Sequence, residues 1–148
     1  MAFKTASTAS EAFYQAKNLA RGVKQTAQSH IAQFANTTNR DQVLSLAMNL
    51  REWRIALALA AAVPGVGQYA KDQYADQAYD VAASFTAMLA AIDDVITGIH
   101  TAFPVGAGGE VRERVLNVDG SITMRTFTGA QLASLVTLLQ TLDGTISF

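Results

Sequence analysis

The sequence predicts a mainly α-helical domain: three long helices in a bundle, then a β-hairpin and a short C-terminal helix. Three observations carry that prediction. Alanine supplies 27 of the 148 residues, and alanine is both the strongest helix former and small enough to let helices approach closely. Apolar residues recur at steps of three and four through most of the first hundred positions, the period of one helix face. The two prolines, Pro64 and Pro104, stand where those patterns stop. Beyond Pro104 the period changes to two. The chain divides into a helical block over 8–104, a hairpin over 110–127 and a final helix over 128–143, all within one domain by length.

The first helix opens on Thr8-Ala9-Ser10-Glu11, the spacing of a capping box. Its stripe is Ala9, Phe13, Ala16, Ala20, Val23, Ala27, Ile31 and Phe34, and Asn36-Thr37-Thr38-Asn39 breaks it. The second helix starts at Thr38 or Asn39 and runs to Val63. Val43, Leu44, Leu46, Ala47, Leu50, Ile55, Leu57 and Leu59 spread around its cylinder, so it is expected to be buried on most faces, as a central helix or within an assembly. Arg51, Glu52 and Arg54 beside Trp53 interrupt it, as a solvated turn or a subunit contact. Pro64-Gly65-Val66-Gly67 makes a tight turn. A third helix is expected from about Gln68 to Thr101, with Tyr74, Ala78, Val81, Phe85, Leu89, Ile92, Ile96, Ile99 and Phe103 in one stripe. At 1.5 Å per residue it would be a rod of about 50 Å.

Gly106-Ala107-Gly108-Gly109 reads as a flexible connector. It lacks the Gly-Lys-Ser/Thr ending of a phosphate loop. Asp119-Gly120 then signals a two-residue hairpin turn. That turn would set Val118 opposite Ser121, Val115 opposite Met124 and Arg114 opposite Arg125. One face would carry Val111, Val115, Ile122 and Met124, the other Arg112, Arg114 and Arg125 with Leu116 and Phe127. Three gathered arginines call for an anionic partner. Thr128 and Gln131 form a second capping box with Phe127 as its staple. Leu132, Leu135, Val136, Leu139 and Leu142 make the last stripe, and Gly144 is placed at a left-handed cap. Phe148 is a candidate for docking into a groove, on its own domain or on a neighbour.

Composition narrows the function. Half the residues are hydrophobic, 16% are charged and net charge is −1, which excludes intrinsic disorder. The absence of cysteine removes disulfide scaffolds, thiolate metal sites and thiol catalysis. His30 and His100 stand alone on their helices, and the adjacent Asp93 and Asp94 point about 100° apart, so they cannot face one another as an acid–base pair. No catalytic, cofactor-binding or metal-ligating set emerges, and the chain reads as a non-enzyme. The apolar run from Ile55 to Val63 is far short of the roughly 20 residues that span a bilayer, and nothing resembles a targeting signal, so the expectation is a cytosolic chain.

Charge is sorted along the sequence. Residues 1–40 carry Lys4, Lys17, Arg21, Lys24 and Arg40 against Glu11, a net +4; residues 71–109 carry Lys71 against Asp72, Asp76, Asp80, Asp93 and Asp94, a net −4. Lys17, Arg21 and Lys24 share one helix face, and Asp72, Asp76 and Asp80 step by four along another. Such ridges pair within a subunit, pair head-to-tail between identical subunits, or stay solvated. Three basic residues on a net acidic chain fall short of a nucleic-acid footprint.

The stretch from Val115 to Leu132, Val-Leu-Asn-Val-Asp-Gly-Ser-Ile-Thr-Met-Arg-Thr-Phe-Thr-Gly-Ala-Gln-Leu, resembles the end of small proteins from structural gene modules of tailed bacteriophages. There a short hairpin leads through Arg-Thr-Phe/Tyr-Thr-x-Ala-Gln to a Leu-rich helix. Gly129 replaces the proline often found at that point, and the resemblance covers about a quarter of the chain. It implies a virion protein assembled in the host cytoplasm, a ring-forming head–tail connector whose partners are itself and neighbouring portal or tail subunits. The alternatives are another tail- or capsid-associated protein, or a small soluble regulatory binding module.

Overall fold

The computed structural model describes residues 8–34, 40–73 and 81–145. The protein is mainly helical, with a two-stranded antiparallel hairpin and a C-terminal helix. The elements in order are α1 (Ala9–Phe34), α2 (Arg40–Ala61), α3 (Val66–Gln73), α4 (Val81–Ala102), β1 (Arg114–Leu116), β2 (Ile122–Met124) and α5 (Gly129–Gly144).

Four helices close on themselves: α1 packs on α2, α2 on α4, α4 on α5, and α5 returns to α1. The predicted stripes face the centre. Phe13, Ala16, Ala20, Val23, Ala27 and Phe34 of α1 are buried, and so are Phe85, Ile92 and Ile99 of α4 and Leu135, Leu139 and Leu142 of α5. Alanine lets α1 run close to its neighbours, and Gly22 closer still: the Trp53 indole of α2 lies where a side chain on Gly22 would be, with its Cη2 2.5 Å from the position of a Cβ.

Local signals set the helix ends. The Thr8 hydroxyl accepts the Glu11 amide at 3.2 Å. Before α5, the Thr128 hydroxyl accepts the Gln131 amide at 3.1 Å and the Gln131 carboxamide accepts the Thr128 amide at 2.8 Å, a complete capping box. The exit of α5 differs from expectation. Gly144 is helical, and Thr145 caps the helix in a right-handed conformation, φ −78°. A left-handed glycine is unnecessary because the Thr145 hydroxyl donates to Leu142 O at 2.7 Å and the Ser84 hydroxyl donates to Thr145 O at 2.9 Å. The last turn is satisfied from its own cap and from α4.

The third expected helix is two helices. Pro64 and Gly65 form the centre of a turn in which the Val66 amide donates to Val63 O at 3.2 Å, and Gly65 takes φ +86°, as a type II turn requires. α3 then packs against both α1 and α4. Residues eight or more apart in one straight helix are at least about 12 Å apart, so α3 and α4, with Cα atoms within 8 Å of each other, cannot be one rod. Periodicity missed this because both helices keep steps of three and four. Tyr69 of α3 packs its ring on Phe13 and Tyr14 at the start of α1, centroids 5.4 and 6.1 Å away. It thereby covers one end of the bundle.

The hairpin leaves from the other end. Phe103, fully buried just beyond α4, stacks on Phe127 with centroids 6.0 Å apart and planes 12° from parallel. Val105 pairs with Val111, and Arg40 at the start of α2 places Nε 3.0 Å from the Glu113 carboxylate. The base of the hairpin is thus fastened to α2, α4 and α5.

Candidate assembly surfaces

The segment expected to be a flexible connector is a built turn. The Gly109 amide donates to Gly106 O at 3.0 Å, the Gly106 amide donates to Glu110 O at 2.8 Å, and Gly109 takes φ +85°. The main hairpin repeats this geometry. The Gly120 amide donates to Asn117 O at 3.0 Å, the Asn117 amide donates to Ser121 O at 2.8 Å, and Gly120 takes φ +86°. Both are three-residue loops closed by a left-handed glycine bulge.

That loop corrects the predicted register. A two-residue Asp-Gly turn of the primed type needs both residues left-handed, yet no non-glycine residue among those described has positive φ. Asp119 instead accepts the Ser121 hydroxyl at 2.6 Å and the Ser121 amide at 2.9 Å. The strands pair Arg114 with Met124, Val115 with Thr123 and Leu116 with Ile122. A slip of one residue changes which side chains share a face. Arg114 and Leu116 therefore stand with Ile122 and Met124. Arg125 stands on the other face, half-buried, with its amide on Glu113 O at 2.8 Å. The three arginines do not gather: Arg112 and Arg114 are exposed, and Arg125 is turned from them.

The two faces differ in chemistry. On one, the Asn117 carboxamide donates to the Ser121 and Thr123 hydroxyls at 3.0 and 2.7 Å. On the other, Leu116 and Ile122 are 75% and 61% exposed, Met124 is partly open, and Val118 at the tip is fully exposed. Ser121's hydroxyl and amide together hold the Asp119 carboxyl below the usual range, the hydroxyl bond contributing most. A folded-state pKa below the unfolded one gives support that is present above the unfolded pKa and is lost as pH falls through the folded one. The Ser121 amide proton is therefore expected to titrate, by nuclear magnetic resonance, with a midpoint below the ordinary Asp value of about 3.9. A midpoint at or above that value would disprove the bond.

A second apolar surface lies on α2. Met48, Ile55 and Leu59, at steps of seven and four, form one line and are 55–69% exposed, with exposed Glu52 between them. Within its own chain α2 is therefore not the central helix that was one expectation: α5 packs against both α1 and α4 and leaves α2 one open side. Of the Arg51–Arg54 group, Glu52 is exposed while Arg51, Trp53 and Arg54 meet neighbours within the chain. Arg54 grips Asp93 of α4 through Nε and Nη2 at 2.7 and 3.0 Å, and that bond raises the Arg54 pKa. Arg51 Nη2 lies 3.4 Å from His100 Nε2, and Trp53 covers Gly22.

Of the charged ridges, the basic one is described whole and the acidic one only at Asp72. Lys17, Arg21 and Lys24 share a face of α1, with Arg21 exposed. Lys24 Nζ binds Asp143 at the end of α5, 2.9 Å from Oδ1 and 3.0 Å from the carbonyl, and Gln28 adds a bond of 3.1 Å to the same carboxylate. A cation there also suits the negative end of the helix dipole. No local signal in the sequence links Asp143 to Lys24. Asp72 is exposed and accepts the Gln68 carboxamide at 2.9 Å. Asp76, Asp80 and Phe148 lie outside the described residues.

The histidines are held by backbone. His30 Nδ1 lies 2.8 Å from Thr26 O, and His100 Nδ1 lies 3.1 Å from Phe103 O. Among the described residues no three His, Cys, Asp or Glu side chains cluster as a metal site would require. No described helix is long and apolar enough to cross a membrane. An open cavity of about 310 Å³ lies between α4 and α5 beside Gly98, lined by Thr101, Gln131, Ser134 and Leu138 among others, all uncharged. No family model matches the chain, and no match is found among curated proteins or solved structures.

Proposed function

We propose that the protein is a non-enzymatic structural subunit that assembles with copies of itself, and that it serves as a ring-forming head–tail connector in the virion of a tailed bacteriophage. The observation that carries the assembly step is the pair of exposed apolar surfaces, one on the hairpin and one on α2. Scattered apolar residues are ordinary on a monomer, whereas contiguous apolar patches mark contacts. The hairpin–helix block from Val115 to Leu132 is the part that resembles phage structural proteins, and it contains one of the two surfaces. Portal or tail subunits are the partners expected at the ring faces.

The solution mass, by light scattering after size exclusion, tests the reading. Species heavier than the 15.7 kDa monomer are expected, growing with concentration. They are expected to persist in sulfate, which strengthens apolar burial. A monomer at all concentrations and salts would overturn self-assembly and favour the lone regulatory module.

A further inference from the structure

We propose that the apolar face of the hairpin docks on the α2 line of a second copy, with Leu116, Ile122 and Met124 over Met48, Ile55 and Leu59, and Arg114 beside Glu52. The proposal rests on the self-assembly reading and names its contact. Three observations support it. Each surface is open within its own chain, and the hairpin base is fastened by the Arg40–Glu113 pair and the Phe103–Phe127 stack, so a chain does not cover its own α2 line. The hairpin face carries exposed Arg112 and Arg114, and the α2 line carries exposed Glu52, with Arg51 on its flank turned to His100. Hairpin on hairpin would bring Arg114 towards Arg114, and α2 on α2 would bring Glu52 towards Glu52. The crossed pairing sets the hairpin arginines beside Glu52, and like-charge juxtaposition disfavours hairpin on hairpin.

The dimensions agree as well. Met48 to Leu59 spans about 16 Å of helix, and the hairpin arm from Arg112 through β1 to the Val118 tip reaches at most about 20 Å. Each copy offers one hairpin and one α2 line, so the contact is heterologous and repeats until it closes as a ring or extends as a filament. Few side chains take part on each side, against the roughly 20–30 residues per partner of a stable interface. A single contact is therefore weak, and assembly depends on concentration until closure gives every copy two contacts.

Mixing tests the pairing. Ile122→Glu disables the hairpin and Leu59→Glu disables α2; both side chains are exposed, and circular dichroism checks that each variant folds. Each alone is expected to lose self-association at least tenfold. A 1:1 mixture is expected to regain a dimer and nothing larger, because one intact hairpin then meets one intact α2 line. Glu52→Arg and Arg114→Glu are each expected to weaken assembly, and their combination in one chain to restore it.

The chain has no cysteine, which supplies a second measurement in an otherwise native background. Oxidising Val118→Cys mixed with Leu59→Cys is expected to link the two variants severalfold faster than Val118→Cys mixed with Ala133→Cys on α5. Variants that assemble as the native chain does, or equal linking rates, would overturn this docking while leaving self-assembly intact. A native chain that stays monomeric would overturn both.

Discussion

Phe103→Ala is expected to destabilise the fold by about 3–5 kcal/mol, the range for removing a fully buried phenylalanine. Phe103 has no exposed surface. Its amide closes the last turn of α4 on Ile99 O at 3.1 Å, and its ring stacks on Phe127, the residue before the Thr128 cap. The loss thus falls where α4, the hairpin base and α5 meet. Total stabilities are about 5–15 kcal/mol, so the variant is expected to lie near its unfolding transition at 37 °C. Urea denaturation followed by helical circular dichroism measures the effect. Phe127→Ala removes the same ring contact, so the double variant is expected to fall short of the sum of the singles by about 0.5–1.5 kcal/mol. A loss below about 1 kcal/mol for Phe103→Ala would show that the ring is not the anchor.

That junction lies among elements that were readable from sequence. The Thr8 cap and the Thr128 capping box are local, three residues from donor to acceptor, and both helices start where Thr8 and Thr128 place them. The stripes of α1, α4 and α5 were readable because helical period and burial coincide. What failed required knowledge of geometry or of distant partners. The break between α3 and α4 left the period intact. The left-handed cap assigned to Gly144 gave way to bonds from Thr145 and Ser84, the latter 61 residues away. Lys24 meets Asp143 across 119 residues, and no pattern in either segment encodes that pair.

The hairpin shows how one local choice governs a surface. Asp119-Gly120 marked its position, but whether the loop holds two residues or three depends on whether Asp119 becomes left-handed. With Ser121 satisfying its carboxylate, Asp119 stays right of that boundary and only Gly120 crosses it. The apolar residues then gather with Arg114, and the triple-arginine face disappears. The open α2 line was equally hidden, since hydrophobicity on every side of a helix does not reveal which side its own chain leaves uncovered.

Gly22→Ala is expected to change sign with its neighbour. In an exposed helix the substitution gains about 1 kcal/mol. Here the new Cβ would meet Trp53 Cη2 at 2.5 Å and Cζ3 at 2.8 Å, and overpacking typically costs about 1–3 kcal/mol. The clash wins, and the native background is expected to lose about 1 kcal/mol. In a Trp53→Ala background the same change is expected to stabilise, because the helix gain remains and the ring is gone. Denaturant midpoints for the four chains give the coupling directly, and destabilisation of equal size in both backgrounds would refute the contact. The seam matters to assembly because it fixes how α2 is turned. Trp53 is held against α1 and Arg54 against Asp93 of α4, so Met48, Ile55 and Leu59 face outward together. Forcing Trp53 off Gly22 rotates or shifts that line, so Gly22→Ala is expected to weaken self-association although no residue of either apolar surface has changed.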